Sequence, residues 1–152
     1  MKIKLIALII CLLILAGCQN TNILKCINEE EANGLKLNEE VILTYKSKNP
    51  YSVIVNLDIN ALNDDSKKIW NELVDFYTKR FPISNEEGID VLKNNNDKEY
   101  SYTLRLDIDL SKVSEESLEK YELEDLLKDR DSIDDVKLEA EKSGFTCHIT
   151  AS

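Results

Sequence analysis

Apolar and polar side chains alternate over three long stretches, and this alternation constrains the fold more than any other feature of the sequence. Every second residue is apolar over most of residues 35–45, and the pattern repeats over 51–59 and 100–110. A period of two places successive side chains on opposite faces of a β-strand, so each stretch predicts a strand with one buried and one polar face. Glu39 and Ile42 break the pattern in the first stretch.

A long amphipathic helix is predicted after the second stretch. Asp64 and Asp65 offer an N-cap, and Pro82 ends the segment because proline cannot continue a helix. The apolar residues between them recur at helical spacing, at Ile69, Trp70, Leu73, Val74, Tyr77 and Phe81.

The remaining segments complete the predicted fold. A first strand is predicted over 24–31, followed by an Asn33-Gly34 hairpin turn, since both positions tolerate positive φ. Residues 114–131 predict one or two short helices, 132–144 a last helix, and 145–149 a closing strand. Strands interrupted by helices without βαβ alternation predict an α+β fold, with an antiparallel sheet of about five to six strands packed against the long helix and one or two shorter C-terminal helices.

The N-terminal sequence has the form of a lipoprotein signal. Lys2 and Lys4 precede the apolar run 5–15, which is too short to span a bilayer and has the length of a signal-peptide core. The run ends in Leu15-Ala16-Gly17-Cys18, an order that resembles a bacterial lipobox, in which the Cys18 thiol receives a thioether-linked diacylglycerol. A plain secretion signal or a hydrophobic helix is the alternative.

The lipobox predicts the organisation of the chain. Residues 1–17 are expected to be a lipoprotein signal peptide, 18–23 a lipidated tether, and 24–152 a single α+β domain. The mature protein is then expected on the extracytoplasmic face of a cell membrane, held by the lipid on Cys18.

The acidic charge argues against a nucleic-acid partner. The chain has 19 Lys and Arg against 29 Asp and Glu, and loss of Lys2 and Lys4 with the signal leaves 17 − 29, a net charge of −12. Binding to nucleic-acid phosphates requires a surplus of basic groups, which this chain lacks. Anionic lipids would also repel the domain as a whole, so the lipid must supply the anchor.

Two of the four cysteines are left as thiols after processing. Cys11 leaves with the signal and Cys18 carries the lipid, so Cys26 and Cys147 are the candidates for a disulfide in an oxidising compartment. Two buried, reduced thiols are the alternative.

The candidates for catalysis or metal binding are weak. His148 follows Cys147, but neighbouring residues on a strand point to opposite faces, so they do not form a nucleophile and base. Asp107 and Asp109 share a strand face with Arg105, which predicts a solvated charged face rather than a cation site. A second acidic cluster fails the calcium-loop pattern, and comprises Asp129, Asp131, Asp134 and Asp135. We therefore expect no catalytic residue, metal or cofactor.

Several short motifs resemble the YehR-like family of small bacterial lipoproteins. They are the lipobox, the Asn-Gly turn, Val41-Ile42-Leu43-Thr44-Tyr45-Lys46, the Trp-bearing helix, the strand 100–110 and Glu141-Lys142-Ser143-Gly144-Phe145. The likeness covers nearly the whole mature chain. It implies a compact α+β fold with an antiparallel sheet, in a family without an established biochemical function and with no catalytic residues to carry over.

These observations predict a non-enzymatic lipoprotein that binds an unknown protein partner or serves as an envelope accessory factor. The alternative is a lipoprotein that binds a small ligand or a divalent cation on its acidic faces.

Overall fold

A computed structural model describes residues 21–121, 123 and 132–151. The predicted signal peptide, Cys18 and residues 124–131 of the acidic segment lie outside the described residues. In chain order the described elements are β1 (Thr21–Ala32), β2 (Leu35–Lys46), β3 (Asn49–Ala61), α1 (Asp64–Lys68), α2 (Trp70–Arg80), β4 (Ile89–Asn96), β5 (Ser101–Asp109), α3 (Glu115–Lys120), α4 (Ile133–Lys142) and β6 (Thr146–Ala151).

The strands form one antiparallel sheet in the order β4-β5-β3-β2-β1-β6. Asn33 and Gly34 link β1 to β2 with φ values of 53° and 77°, the conformation expected of this turn. A Cβ at Gly34 would lie 2.0 Å from the Asn63 side chain, so the close approach also requires glycine. The predicted α+β class with an antiparallel sheet is confirmed, and the sheet has six strands.

The core lies between one face of the sheet, here called the inner face, and the helices. The central strand β3 contributes alternate residues to it, and β5 does the same. Leu24, Val53, Leu106 and Ile108 have no exposed surface at all. The helices add Trp70, Phe81 and Val136, with Leu73, Val74, Tyr77, Leu118, Ile133 and Ala140 partly buried against them.

The prediction of one long helix is wrong, because the structure has two short helices in this segment. Ile69 separates α1 from α2 with φ −96° and ψ 6°, and its side chain is exposed rather than inward. The α1 sequence has no apolar residue, and hydrogen bonds between Asn63 and the buried Ser66 hold its N-terminus. The apolar face begins at Trp70, which is buried edge-on against Tyr100.

Several boundaries also differ from those predicted. β1 begins at Thr21, within the segment expected to be the tether. β4, for which no strand is given above, runs to Asn96, with Asn94 paired to Thr103 and Asn96 to Ser101. A turn follows β4 and ends at Tyr100. The positive φ of Tyr100, 51°, excludes this residue from β5.

The disulfide between Cys26 and Cys147 joins the two ends of the described chain. The two residues are directly opposite in the β1–β6 register, with Sγ atoms 2.04 Å apart and Cα atoms 4.1 Å apart. Both side chains belong to the core. The closing strand β6 is therefore held to β1 by a covalent bond as well as by backbone hydrogen bonds.

Candidate functional site

The other face of the sheet, here called the outer face, has no described helix packed on it. Strand alternation places Ile23 and Ile27 of β1 there, with Ile42 of β2 and Ile54 of β3. All four are only partly exposed, yet none belongs to the core cluster or packs against it. The structure therefore has a second apolar surface, separate from the core.

The isoleucines form a row across three strands. Ile42 and Ile54 are cross-strand partners, and Ile42 also pairs with Lys25, the residue between Ile23 and Ile27 on β1. Directly opposed β-branched side chains on one face of a sheet stabilise each other modestly. Ile42, which breaks the sequence alternation, is thus the centre of this row.

A chain of polar contacts crosses the same face beside the row. Lys25 forms an ion pair with Glu40, and the Asn56 amide donates a hydrogen bond of 2.7 Å to the Glu40 carboxylate. Arg105 donates to the side-chain amide oxygen of Asn56 at 3.4 Å and to the Asp107 carboxylate at 3.2 Å. Polar side chains of four adjacent strands, β1, β2, β3 and β5, are linked in this way.

The Glu40 carboxylate is held in its charged form. Hydrogen bonds from Lys25 and Asn56 lower the pKa of Glu40 below its usual value, although partial burial acts in the opposite direction. The group stays ionised at neutral pH and orients both of its partners.

A shallow depression of about 330 Å³ adjoins this polar chain. Glu40, Asn56 and Arg105 line it on one side, and Asp58, Leu92, Lys93, Asn94, Thr103 and Leu104 complete its surface. Its charged groups have both signs, and it opens to solvent along the edge strand β4.

The predicted carboxylate candidates do not converge on a cation. Asp107 pairs with Arg105, whereas Asp109 accepts hydrogen bonds from the Ser111 backbone and hydroxyl, which lower the pKa of Asp109. Of the second cluster, Asp135 contacts the Ser132 cap of α4, and Asp129 and Asp131 lie outside the described residues. The described part of the chain contains no group of three or more side chains arranged to hold a metal ion.

Cys147 and His148 lie on opposite faces of β6, as the strand period predicts. Cys147 is buried in its disulfide, and His148 is exposed on the outer face opposite Lys25. The pair therefore has neither a free thiol nor the geometry of a nucleophile and base.

The outer-face surface, with its isoleucine row and polar chain, is not predicted by the sequence. Glu40, Asn56 and Arg105 are separated by 16 and 49 residues, and only strand pairing brings them together. One sequence feature does point to the outer face: Ile42 is apolar at a polar position of the alternation.

No family model matches the chain, and no curated protein matches it. It is similar to an NMR structure of a protein from Streptococcus pneumoniae TIGR4, with a TM-score of 0.55 and 14% sequence identity. The likeness covers 87% of this chain and 88% of that one. At this identity the comparison shows a shared fold.

None of the helices in the described ranges is long and apolar enough to cross a membrane.

Proposed function

We propose that the chain is an extracytoplasmic lipoprotein, anchored to a cell membrane through Cys18, whose domain has no enzymatic activity and binds a protein partner on its outer face. The binding role is supported by one observation: the outer face combines the isoleucine row with the polar chain beside it.

The composition of this face suits a protein partner. Interfaces that form and dissociate combine apolar area with polar groups, and arginine is often prominent in binding. Here Ile42 and Ile54 supply the apolar part, and Arg105 is oriented by the hydrogen bonds that it donates to Asn56 of β3 and to Asp107 of its own strand. A face whose polar groups are already paired loses little side-chain freedom on binding.

The lipid anchor is supported by the lipobox sequence and agrees with the disulfide. Thioether-linked diacylglycerol carries two acyl chains, which anchor stably because each buried methylene contributes about 0.8 kcal/mol. A disulfide between Cys26 and Cys147 suits an oxidising, extracytoplasmic compartment.

The anchor is tested by mass spectrometry of the N-terminal peptide and by fractionation of cells. We expect a diacylglycerol adduct on Cys18 and a protein in the membrane fraction. The Cys18→Ser variant should remain unprocessed and lack the adduct, while Cys26→Ser, as a control, should keep it. An unmodified Cys18 in the native protein would refute the proposal.

The binding face is tested with a photo-crosslinking amino acid placed at Ile42 in cells of the native host. We expect a crosslinked product of one defined mass. The matched control is Phe76, an exposed apolar residue on α2, which should give no such product. Equal products at both positions, or none at Ile42 although the protein is anchored, would argue against the outer face.

Binding of a small ligand or divalent cation is the second candidate, and the depression beside Arg105 favours it. Calorimetric titration of the mature domain with calcium, zinc and manganese tests the cation part. Saturable heat that disappears when Glu40→Gln and Asp58→Asn, the two carboxylates that line the depression, are combined would support it over the first proposal. Absence of heat with all three ions would leave protein binding as the better account.

We also propose membership of the YehR-like family. The support is the set of short motifs quoted above, together with the α+β fold that the family resemblance implies.

A further inference from the structure

One end of the sheet must lie close to the lipid if Cys18 carries the anchor. Thr21 is the first residue of β1, and it pairs with Lys46 at the last position of β2. Three peptide links join Cys18 to Thr21, and three residues extend over about 11 Å at most. This short reach holds the end of the sheet that contains Lys46 near the membrane surface.

The β2–β3 turn and the segment after β5 lie at this same end. Lys46 pairs with Asn49 across the turn, and Ser52 of β3 pairs with Asp109 at the end of β5. The Leu110 backbone N–H donates to the Tyr51 carbonyl oxygen at 2.9 Å. We call residues 46–51 and 109–112 together the hairpin end.

The hairpin end carries side chains that suit a headgroup layer. The Lys46 ammonium lies 3.2 Å from the centre of the Tyr51 ring, and Lys48 is exposed at the tip of the turn. Lysine and tyrosine combine an apolar body with a polar end, and both are favoured at membrane interfaces. Of the carboxylates at this end, Glu87 pairs with Lys112 and Asp109 is held by Ser111.

The opposite end of the sheet carries exposed carboxylates on β1. Beside the Asn33-Gly34 turn β1 ends in the exposed residues Glu29, Glu30 and Glu31. Anionic headgroups repel such a surface and attract lysines. The distribution of charge and the point of attachment therefore favour the same orientation.

We infer that the hairpin end lies against anionic lipid headgroups, with Lys46 and Lys48 near their phosphates, and that the Asn33-Gly34 turn points away from the membrane. This inference rests on the proposed lipidation of Cys18. It leaves the sheet upright, with the outer face accessible from the side.

The orientation is tested on the lipidated full chain, reconstituted into vesicles of phosphatidylcholine and phosphatidylglycerol that contain a lipid with a quencher on its headgroup. A fluorescent maleimide is attached to Asn49→Cys or, as the matched control, to Ala32→Cys. Both residues are exposed, each flanks a two-residue turn, and eleven register positions of about 3.3 Å separate them along the strands. The new thiol is the one that reacts, because Cys18 carries lipid and Cys26 is bridged to Cys147.

We expect strong quenching at position 49 and fluorescence close to that without quencher at position 32. Lys48→Glu in the Asn49→Cys protein should reduce the quenching, whereas Lys36→Glu, near the opposite turn, should not. Equal quenching at both labels, stronger quenching at position 32, or equal effects of the two charge reversals would overturn the inference. The mass of the N-terminal peptide separates the two failures: an unmodified Cys18 refutes the anchor as well, whereas a lipidated Cys18 with equal quenching refutes the orientation alone.

Discussion

Glu39 shows how a single charged residue lowers the stability of the fold when the sheet register places it on the inner face. It occupies the same row of β2 as Leu37 and Val41 and lies opposite Leu57 of β3. Burial raises the pKa of the Glu39 carboxyl, and the nearby Arg80 guanidinium opposes the shift in part. The ionised side chain is therefore less favourable in the folded protein than in the unfolded chain.

The Glu39→Gln substitution should raise the free energy of unfolding at pH 7, by less than about 1 kcal/mol because the site is partly solvated. The native pKa lies above the unfolded value, so ionisation costs stability above the native pKa and this cost disappears as the pH falls through it. The gain from the substitution should accordingly vanish toward pH 4. Urea unfolding at several pH values measures this, with exposed Glu31→Gln as the control. A larger gain at acid pH than at pH 7 would contradict the assignment.

The element that depends most on a distant contact is β6. It has six residues, pairs with β1 alone, and is covered by α4. Neither its length nor its sequence makes it a strong strand, and the sequence predicts it only as a closing strand over 145–149. The bridge fixes this arrangement.

Replacing both cysteines, as Cys26→Ala with Cys147→Ala, should lower the free energy of unfolding by up to about 4 to 5 kcal/mol. The sequence separation is 121, and a crosslink across so long a loop removes much of the entropy of the unfolded chain. Urea unfolding of the double variant and of the native protein with and without reductant provides the measurement. If reductant leaves the native protein unchanged while mass spectrometry shows two free thiols, the bridge does not contribute.

The helices also show what the spacing of apolar residues cannot predict. Helical spacing from Trp70 to Phe81 was sufficient to predict α2 and its contact with the sheet. It could not show that Ile69 would interrupt the helix, because the interruption depends on where the core places Trp70.

The described part of the molecule has two layers and two apolar surfaces of different kinds. The inner face is covered by helices, whereas the outer face has none among the described elements and still carries the isoleucine row. Adjacent residues of one strand can therefore differ greatly in their contribution to stability, and Ile42 and Leu43 provide the comparison.

Leu43→Ala should destabilise the fold by about 2 to 5 kcal/mol, because the side chain is 1% exposed and its removal leaves a cavity in the core. Ile42→Ala should cost clearly less, since the methyl groups it removes face the outer surface. Thermal unfolding of both variants, with Val53→Ala as a second core position, gives the comparison. If Ile42→Ala and Leu43→Ala lowered the stability equally, another part of the chain would have to cover the outer face.

The sequence by itself determined the strands, the principal turn and the α+β class, because these depend on side-chain period and on backbone preferences that act over a few residues. It also predicts the lipobox and the removal of Lys2 and Lys4, both of which are local in sequence. The tertiary structure alone decided which strands are neighbours, that Glu39 is partly buried on the inner face, and that Lys25, Glu40, Asn56 and Arg105 meet on one face. Those contacts depend on strand register, and register is fixed by the packing of the whole core rather than by any single segment.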